Sequence, residues 1–290
     1  MRCLVIGTLM LAVAACTASD EGTRKADTAV ALTAVAFDGA DYTNDSAKIA
    51  HGQRITTLFA CAACHGANYS GNDFGAVFPI VKGLWASNIS RTLPAMSDAV
   101  LERLLREGVH PDREIYIMPS KQLQFLSQPD MAALIAFLRT IPPVGEPTPL
   151  PPGGFEAAVT ARLPDDYWRT LKDGERRDYH NSAEEVAYYA ANQPPDLGPQ
   201  MARGRMIASS VCSACHGAAL DGVGEPSGDI QGALAYDDTA FDRLLIESVD
   251  RTGKKVTMEF GFGHETLQLS AAERRDVIAY VRALAGSRKR

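Results

Sequence analysis

The sequence lacks the features that mark several common classes of protein. After residue 20 it has no run of about 18 or more apolar residues, so we expect no internal membrane span. It contains no Gly-x-Ser-x-Gly motif and no nucleotide-binding loop, so neither serine-hydrolase nor nucleotide chemistry is expected. It also has no excess of positive charge, since the formal net charge is -6. A nucleic acid is therefore not an expected partner.

Cysteine is scarce too, and its distribution is informative. Only six cysteines occur in 290 residues, and four of them belong to two copies of one pentapeptide. The copies are Cys61-Ala62-Ala63-Cys64-His65 and Cys212-Ser213-Ala214-Cys215-His216. Cys-x-x-Cys-His is the attachment signature of a c-type haem. On one helical turn, two thiols three positions apart can add to the two vinyl groups of one porphyrin edge, and the next residue can bind the iron.

We therefore predict two covalently attached c-type haems. The predicted attachment residues are Cys61, Cys64, Cys212 and Cys215, and the predicted proximal ligands are His65 and His216. Three other interpretations of a Cys-x-x-Cys pair stay open. A thioredoxin-like redox pair would need a βαβ pattern, which neither copy has. A structural zinc site could use both pairs, although zinc needs no histidine directly after the second cysteine. Two short disulfides are the third interpretation.

The first 16 residues resemble an export signal rather than part of the fold. Arg2 precedes an apolar run from Leu4 to Ala15, which is too short to span a membrane. Small residues precede Cys16, as in a bacterial lipobox, where the cysteine becomes the lipidated first residue. We expect a lipoprotein signal peptide at residues 1–15 and a lipid on Cys16, with ordinary signal cleavage nearby as the alternative. Export fits c-type haem attachment and implies the periplasmic face of a bacterial membrane.

Composition divides the rest of the chain. Residues 16–44 are rich in Ala, Thr and Asp without a sustained period, so they are predicted to form a flexible tether. A first domain at residues 45–142 ends where a proline-rich stretch begins. Residues 143–197 are predicted to form a linker and an aromatic connector with a helix at about 183–192. We expect the connector to be a packed strap, with a docking surface for a partner as the alternative. The second domain is predicted at residues 198–287.

The first domain has the apolar spacing of three helices. One leads from Ser46 to the first haem motif, one runs from Ala99 to Glu107, and one runs from Ser127 to Thr140. Met118 lies in an apolar loop before the last helix, and by periodicity alone such a methionine belongs to the core. The second domain repeats this order, with a loop after its haem motif that is about eleven residues shorter.

The order helix, haem motif, loop, helix, methionine and helix resembles that of class I cytochromes c. The stretch from Met118-Pro119 through Leu126-Ser127 to Leu134–Arg139 carries the resemblance. It implies an all-α fold of two class I cytochrome c domains and makes Met118 the sixth iron ligand of the first haem. Residues 106–112, with Ser87-Asn88-Ile89 before them, look like the haem domains of cytochrome subunits serving periplasmic alcohol, gluconate and aldehyde dehydrogenases.

The sixth ligand of the second iron is open between two residues. Met258 lies eleven positions after Glu247, the same spacing as from Glu107 to Met118, and is the preferred candidate. His264 lies six residues further on in a glycine-rich loop and is the alternative. The choice matters because Met/His ligation raises the reduction potential relative to that of a histidine pair.

Two irons that each have two protein ligands offer no open position to a substrate, so electron transfer is expected rather than catalysis. We predict a lipid-anchored di-haem carrier between a dehydrogenase or quinol-linked donor and a downstream acceptor. The alternative is a di-haem enzyme, a peroxidase or a sulfur-compound oxidase, in which one haem lacks a fixed distal ligand. A haem-based sensor or an assembly subunit is a further alternative.

Overall fold

The chain folds into two small helical domains joined by a helical connector. The computed structural model describes residues 30–73, 85–149, 181–222, 228–256 and 263–288. The helices of the first domain are α1 (Asp45–Leu58), α2 (Cys61–His65), α3 (Ile89–Thr92), α4 (Asp98–Glu107), α5 (Ser120–Leu123) and α6 (Gln128–Leu138). The connector contains α7 (Ser182–Ala191), and the second domain contains α8 (Ala202–Ile207), α9 (Ser213–His216), α10 (Asp238–Glu247) and α11 (Ala271–Arg288).

Shorter elements complete the two domains. The strands β1 (Asn72–Asp73) and β2 (Trp85–Ala86) pair antiparallel beside the first haem motif. Single 3-10 turns occupy Leu32–Ala34, Leu93–Ala95, Pro199–Met201, Ile230–Ala235 and His264–Leu267, and a π-helical turn occupies Ala208–Cys212. In the part of the chain described here, no helix has both the length and the apolar character needed to cross a membrane.

Side-chain caps fix where the main helices begin. The side chains of Asn44, Ser97 and Ser127 each accept a hydrogen bond from the backbone N–H three residues on, and so start α1, α4 and α6. Asp237 caps α10 in the same way. Such caps satisfy backbone amides that have no partner inside the helix. The first helix therefore begins slightly earlier than the Ser46 start predicted from the sequence.

In both domains the first helix crosses the last one and builds the core. In the first domain, Ile55 of α1 and Met131 of α6 have no exposed area. In the second domain, Met206 of α8 and Tyr280 of α11 are likewise fully buried. Both crossings pass through a glycine. A Cβ on Gly52 would lie 2.0 Å from a backbone oxygen of α6, and a Cβ on Gly204 would lie 2.2 Å from a backbone oxygen of α11.

Residues 30–44 are folded, which corrects the prediction of a flexible tether for this part of the 16–44 segment. Leu32 and Phe37 are 5% and 2% exposed, so both side chains contribute to the core. The burial of two large apolar side chains offsets the conformational entropy lost when the segment is ordered. Residues 16–29 and the predicted signal peptide lie outside the described residues.

The segment that includes Phe37 and Asp38 connects the two domains. The Phe37 N–H donates to Asp130 of α6 at 3.2 Å, and the Asp38 N–H donates to Glu273 of α11 at 2.9 Å. The two carboxylates hold equivalent positions, because each lies three residues after the serine that begins the last helix of its domain. Phe37 therefore binds this carboxylate position in the first domain, and its neighbour Asp38 binds the equivalent position in the second.

A network of charged side chains surrounds this segment. The Glu273 side chain has no exposed area and pairs with Arg54 of the first domain. Arg54 also donates to the backbone oxygen of Asp38 at 3.1 Å, while Arg203 of the second domain pairs with the Asp38 carboxylate. Because a buried carboxylate is costly without such partners, the network restrains how the domains can be oriented.

The described part of the connector is a packed strap. Helix α7 confirms the helix predicted at about 183–192, and its N-cap is Asn181. The Ser182 N–H donates to the Ile115 oxygen at 2.7 Å, which attaches the strap to the first domain. The side chain of Tyr189 is 1% exposed and donates to the Ser213 oxygen of the second domain at 3.4 Å. The aromatic residues 150–180 lie outside the described residues.

The two crossing glycines give a test of the fold. Gly52→Ala and Gly204→Ala should each lower the free energy of unfolding by about 1–3 kcal/mol or more, because a backbone carbonyl cannot rotate away from the new methyl group. Gly286→Ala is the matched control: a methyl group on this helical glycine would have nothing within 4 Å, so alanine should stabilise the protein by about 0.5–1 kcal/mol. Chemical unfolding of the haem-loaded protein measures all three, and equal midpoints would contradict the close crossing.

The domain junction gives a second test. Glu273→Ala should destabilise the protein by about 3–5 kcal/mol, because Arg54 loses its buried partner. The control is Glu107→Ala, which removes an exposed pair with Arg103 and should change stability by less than about 1 kcal/mol. Both variants are compared with the parent in urea. A loss at Glu273 as small as the loss at Glu107 would show that the junction network does not hold the domains.

Candidate haem-binding sites

The two Cys-x-x-Cys-His motifs form short helices at equivalent places, but the chain enters them differently. In the first domain Ala60 adopts a left-handed conformation, φ 49°, between α1 and α2. In the second domain the π-helical turn runs directly from α8 into α9. Nine positions separate Gly52 from Cys61, whereas eight separate Gly204 from Cys212. The stretch between the crossing glycine and the haem motif is therefore one residue longer in the first domain. The left-handed turn at Ala60 accommodates this extra residue without moving the helix crossing.

Each motif histidine is oriented by a backbone carbonyl. His65 Nδ1 lies 2.9 Å from the Ser87 oxygen, and His216 Nδ1 lies 2.8 Å from the Gly228 oxygen. A carbonyl oxygen can only accept, so Nδ1 carries the proton and Nε2 keeps the lone pair. This is the tautomer that a metal-binding histidine needs, with its second nitrogen held by the protein. Burial also lowers the pKa of His65, which favours its neutral form.

The turn after each motif has the same backbone geometry in both domains. The N–H groups of Gly71 and Gly222 donate to the carbonyl of the motif histidine at 2.8 and 2.9 Å. Tyr69 and Leu220 both adopt φ 61°, in the left-handed region that side-chain-bearing residues rarely occupy. Two strained residues at matching positions confirm that the second domain repeats the first.

The thiols of both motifs fit a haem edge better than the other interpretations. The four motif cysteines form no disulfide, and the described residues contain no group of three or more His, Cys, Asp or Glu that could hold a metal ion. Burial raises the pKa of Cys61 and of Cys212 to about 12. A redox-active pair needs a lowered thiol pKa instead. Protonated thiols in apolar surroundings match the vinyl edge of a porphyrin.

The two sites differ in the loop that follows the motif. His65 and its carbonyl acceptor are 22 positions apart, whereas His216 and its acceptor are 12 apart. In the first domain the longer loop includes the β1–β2 pair. In the second domain the 3-10 turn Ile230–Ala235 follows soon after the acceptor. The sequence prediction of a shorter second loop is therefore confirmed, and the described parts of the two loops differ in structure.

Met118 lies just before α5 and packs against the hydrophobic core. Its backbone oxygen accepts from the Ser120 N–H at 2.8 Å and from the Ser182 hydroxyl at 3.3 Å, so the strap helps to hold this loop. Its role as the sixth ligand of the first iron stays a prediction. Met258, the preferred candidate in the second domain, lies outside the described residues, as does the predicted lipid-bearing Cys16.

His264 lies at the start of the 3-10 turn His264–Leu267 and faces the proximal histidine of its own domain. The ring centres of His264 and His216 are 6.3 Å apart, with 24° between the ring planes. Burial and the neighbouring His216 lower the pKa of His264 to about 4, so its imidazole is neutral at ordinary pH. The structure therefore brings together two of the histidines singled out in the sequence.

The segment that carries α5 contacts the haem motif of the other domain. Gln122 of α5 donates to the Ser210 oxygen at 3.0 Å, just before Cys212. The Lys121 ammonium acts on the neighbouring motif as well, since it partly offsets the rise that burial causes in the pKa of Cys215. Lys121 is itself held by Glu185 of the strap at 2.8 Å. The loop that follows Met118 is thus fixed against the second haem motif.

The reverse contact also exists. The turn His264–Leu267 and the residue after it lie beside the first haem motif, across a cleft of about 440 Å³. The cleft is lined on one side by Ala60, Ala62, Ala63 and Tyr69, and on the other by Glu265, Thr266 and Gln268. In each domain, therefore, the segment expected to cover the distal side of the haem lies beside the haem motif of the other domain or the residues that lead into it. We call this arrangement the crossed contacts.

Several residues that build the sites were not found from the sequence. Ser87 and Gly228 act through backbone oxygens, for which a sequence pattern carries no signal. Gln122 and Tyr189 act across the domain boundary, so local periodicity could not reveal them. Glu273 could have been found, because Ser-x-x-Glu before an apolar helix is the capping-box pattern.

Comparison with known proteins agrees with the geometry. No curated protein matches the chain. The family model described as cytochrome c matches residues 49–142 and 201–285, more than half of the chain and both haem motifs. The matched regions coincide with the two helical domains, whose donor sets fit haem. The chain therefore belongs to the cytochrome c family, as an all-α electron-transfer protein whose two domains each bind one c-type haem covalently.

Proposed function

We propose that the protein is a lipid-anchored di-haem carrier on the periplasmic face of a bacterial membrane. It passes electrons from a dehydrogenase or a quinol-linked donor to a downstream acceptor. The crossed contacts are the observation that carries this proposal, because they make the two haem sites parts of one unit. Residues 37 and 38 and the strap helix α7 bind both domains and support the same conclusion.

When bound, each haem iron supplies a one-electron couple. The chain's own residues attach the porphyrin edge, orient the proximal imidazole and exclude water. His65 and His216 are held by backbone oxygens, which limits rearrangement when the charge on the iron changes. Crossed contacts keep the distance between the two sites constant, as transfer of an electron between two bound haems of one molecule would require.

The first haem is the better candidate for contact with a donor. Residues 106–112 resemble cytochrome subunits of periplasmic dehydrogenases, and residues 111–114 are exposed. Arg113 in this loop donates to the Ser87 hydroxyl at 3.1 Å, and the Ser87 oxygen holds His65. The exposed loop is thus connected to the proximal ligand by one residue. A dehydrogenase that docks here would lie one residue away from the proximal ligand of the first haem.

Membrane attachment is tested on the full-length protein expressed with its own signal. The parent should fractionate with membranes and be released by detergent but not by salt, because a lipid rather than surface charge holds it. A protein in which residues 1–16 are replaced by an ordinary cleavable export signal should appear in the soluble periplasmic fraction with both haems still attached. Such a protein that stays membrane-bound, or a soluble parent, would contradict the lipid anchor.

The carrier and the di-haem enzyme differ in their reaction with small molecules. The purified carrier should have two low-spin haems, take up and release one electron per haem with redox mediators, and show no catalytic turnover of hydrogen peroxide or of reduced sulfur compounds. Optical titration and steady-state peroxide assays measure these properties. A high-spin haem that binds cyanide readily and turns over peroxide would instead establish the enzyme.

A further inference from the structure

We propose that His264, and not Met258, is the sixth ligand of the second haem iron. The second iron would then be held by two imidazoles, while the first has the His65 and Met118 pair that the family resemblance implies. The inference depends on the haem assignment and on the position of His264 in the fold. It does not depend on the donor, the acceptor or the membrane, so it can fail while the proposed carrier function stands.

The separation of the two rings fits one shared iron. A bond from a metal to an imidazole nitrogen is about 2.0 Å and the ring centre lies about 1.1 Å behind that nitrogen, so a metal with the two nitrogens on opposite sides holds the ring centres about 6.2 Å apart. The centres of the His216 and His264 rings are 6.3 Å apart. Both rings belong to the same domain, and His216 is the motif histidine that binds iron on the proximal side.

In each of the two rings a nitrogen is also available to bind the iron. His216 uses Nδ1 for the Gly228 oxygen, which leaves Nε2 for the metal. The His264 ring makes no hydrogen bond with the described residues, and its Nδ1 is buried without a partner. Buried polar atoms of this kind normally have a partner. A bond to iron would give the His264 ring the strong interaction that the described residues do not provide.

The backbone around His264 is anchored, so the ring does not depend on a loosely held loop. The Glu265 N–H donates to the hydroxyl of Ser248, which is fully buried at the end of α10, at 3.1 Å. The Glu265 carboxylate pairs with Lys255 at 2.8 Å, and the Thr266 hydroxyl donates to the Gly263 oxygen at 2.7 Å. These contacts hold the residues on both sides of His264.

The spacing that favoured Met258 was counted from the helix before it. The two domains do not match when the spacing is counted from the helix that follows. Met118 lies nine positions before Ser127, the cap of the last helix in its domain, whereas Met258 lies twelve positions before the equivalent Ser270. The loop of the second domain is thus three residues longer on this side. The helical turn before the last helix is retained in both domains, and in the second domain it begins with His264 itself.

Ordinary aromatic packing is the competing explanation, since packed rings also have centres about 4.5–7 Å apart. The two explanations differ in the ligand set of the second iron. Electron paramagnetic resonance and near-infrared magnetic circular dichroism of the oxidised, haem-loaded protein distinguish Met/His from bis-histidine haems. We expect one haem of each type in equal amounts. Two Met/His haems would overturn the inference without the use of any variant.

Matched variants identify which residue is the sixth ligand of the second iron. His264→Gly should remove the low-spin signal of one of the two haems, and added free imidazole should restore it. Met258→Leu should leave both signals and both reduction potentials unchanged, whereas Met118→Leu should remove the signal of the other haem. His264→Met should keep the second haem low-spin and raise its reduction potential. A lost signal in Met258→Leu, or an unchanged second haem in His264→Gly, would overturn the inference.

Discussion

One buried carboxylate, that of Glu273, takes part in both the fold of the second domain and its attachment to the first. It caps α11, accepts the Asp38 N–H and pairs with Arg54. A buried charge must keep all its partners, so the second domain can rotate little against the first without leaving one of them unpaired. The crossed contacts follow from this restraint. With the domains fixed at this junction, the turn that begins at His264 reaches the first haem motif, and α5 reaches the second.

The same repeat produces two sites that are not equivalent. Both domains share the glycine at the helix crossing, the histidine held by a backbone carbonyl and the left-handed residue after the motif. They differ in the loop length after the motif and in the segment before the last helix. Axial ligands and water access are the main means by which a protein sets a haem potential. Two domains of one fold that differ in these two loops therefore offer their haems different surroundings.

Local patterns in the sequence predicted most of the fold. Helical spacing placed α4 and α6, start and stop signals placed α7, and the internal repeat placed α11. Two copies of one pentapeptide identified the haem sites. Long-range contacts could not be predicted in this way. Gln122 and Ser210 are 88 positions apart, and Asp38 and Glu273 are 235 apart. Residues 30–44 were mistaken for part of a tether because the apolar residues Leu32 and Phe37 follow no helical or strand period. Spacing alone also could not choose between Met258 and His264, since the two domains differ in loop length.

Electron exchange between the two haems tests the crossed arrangement most directly. A light pulse can deliver less than one electron per molecule to the oxidised, haem-loaded protein, and optical spectra can then follow its redistribution between the two haems. Because the junction fixes both sites within one molecule, the rate of redistribution should be the same at all protein concentrations. A rate that rises in proportion to protein concentration would show that electrons move only between molecules, and would contradict the crossed arrangement.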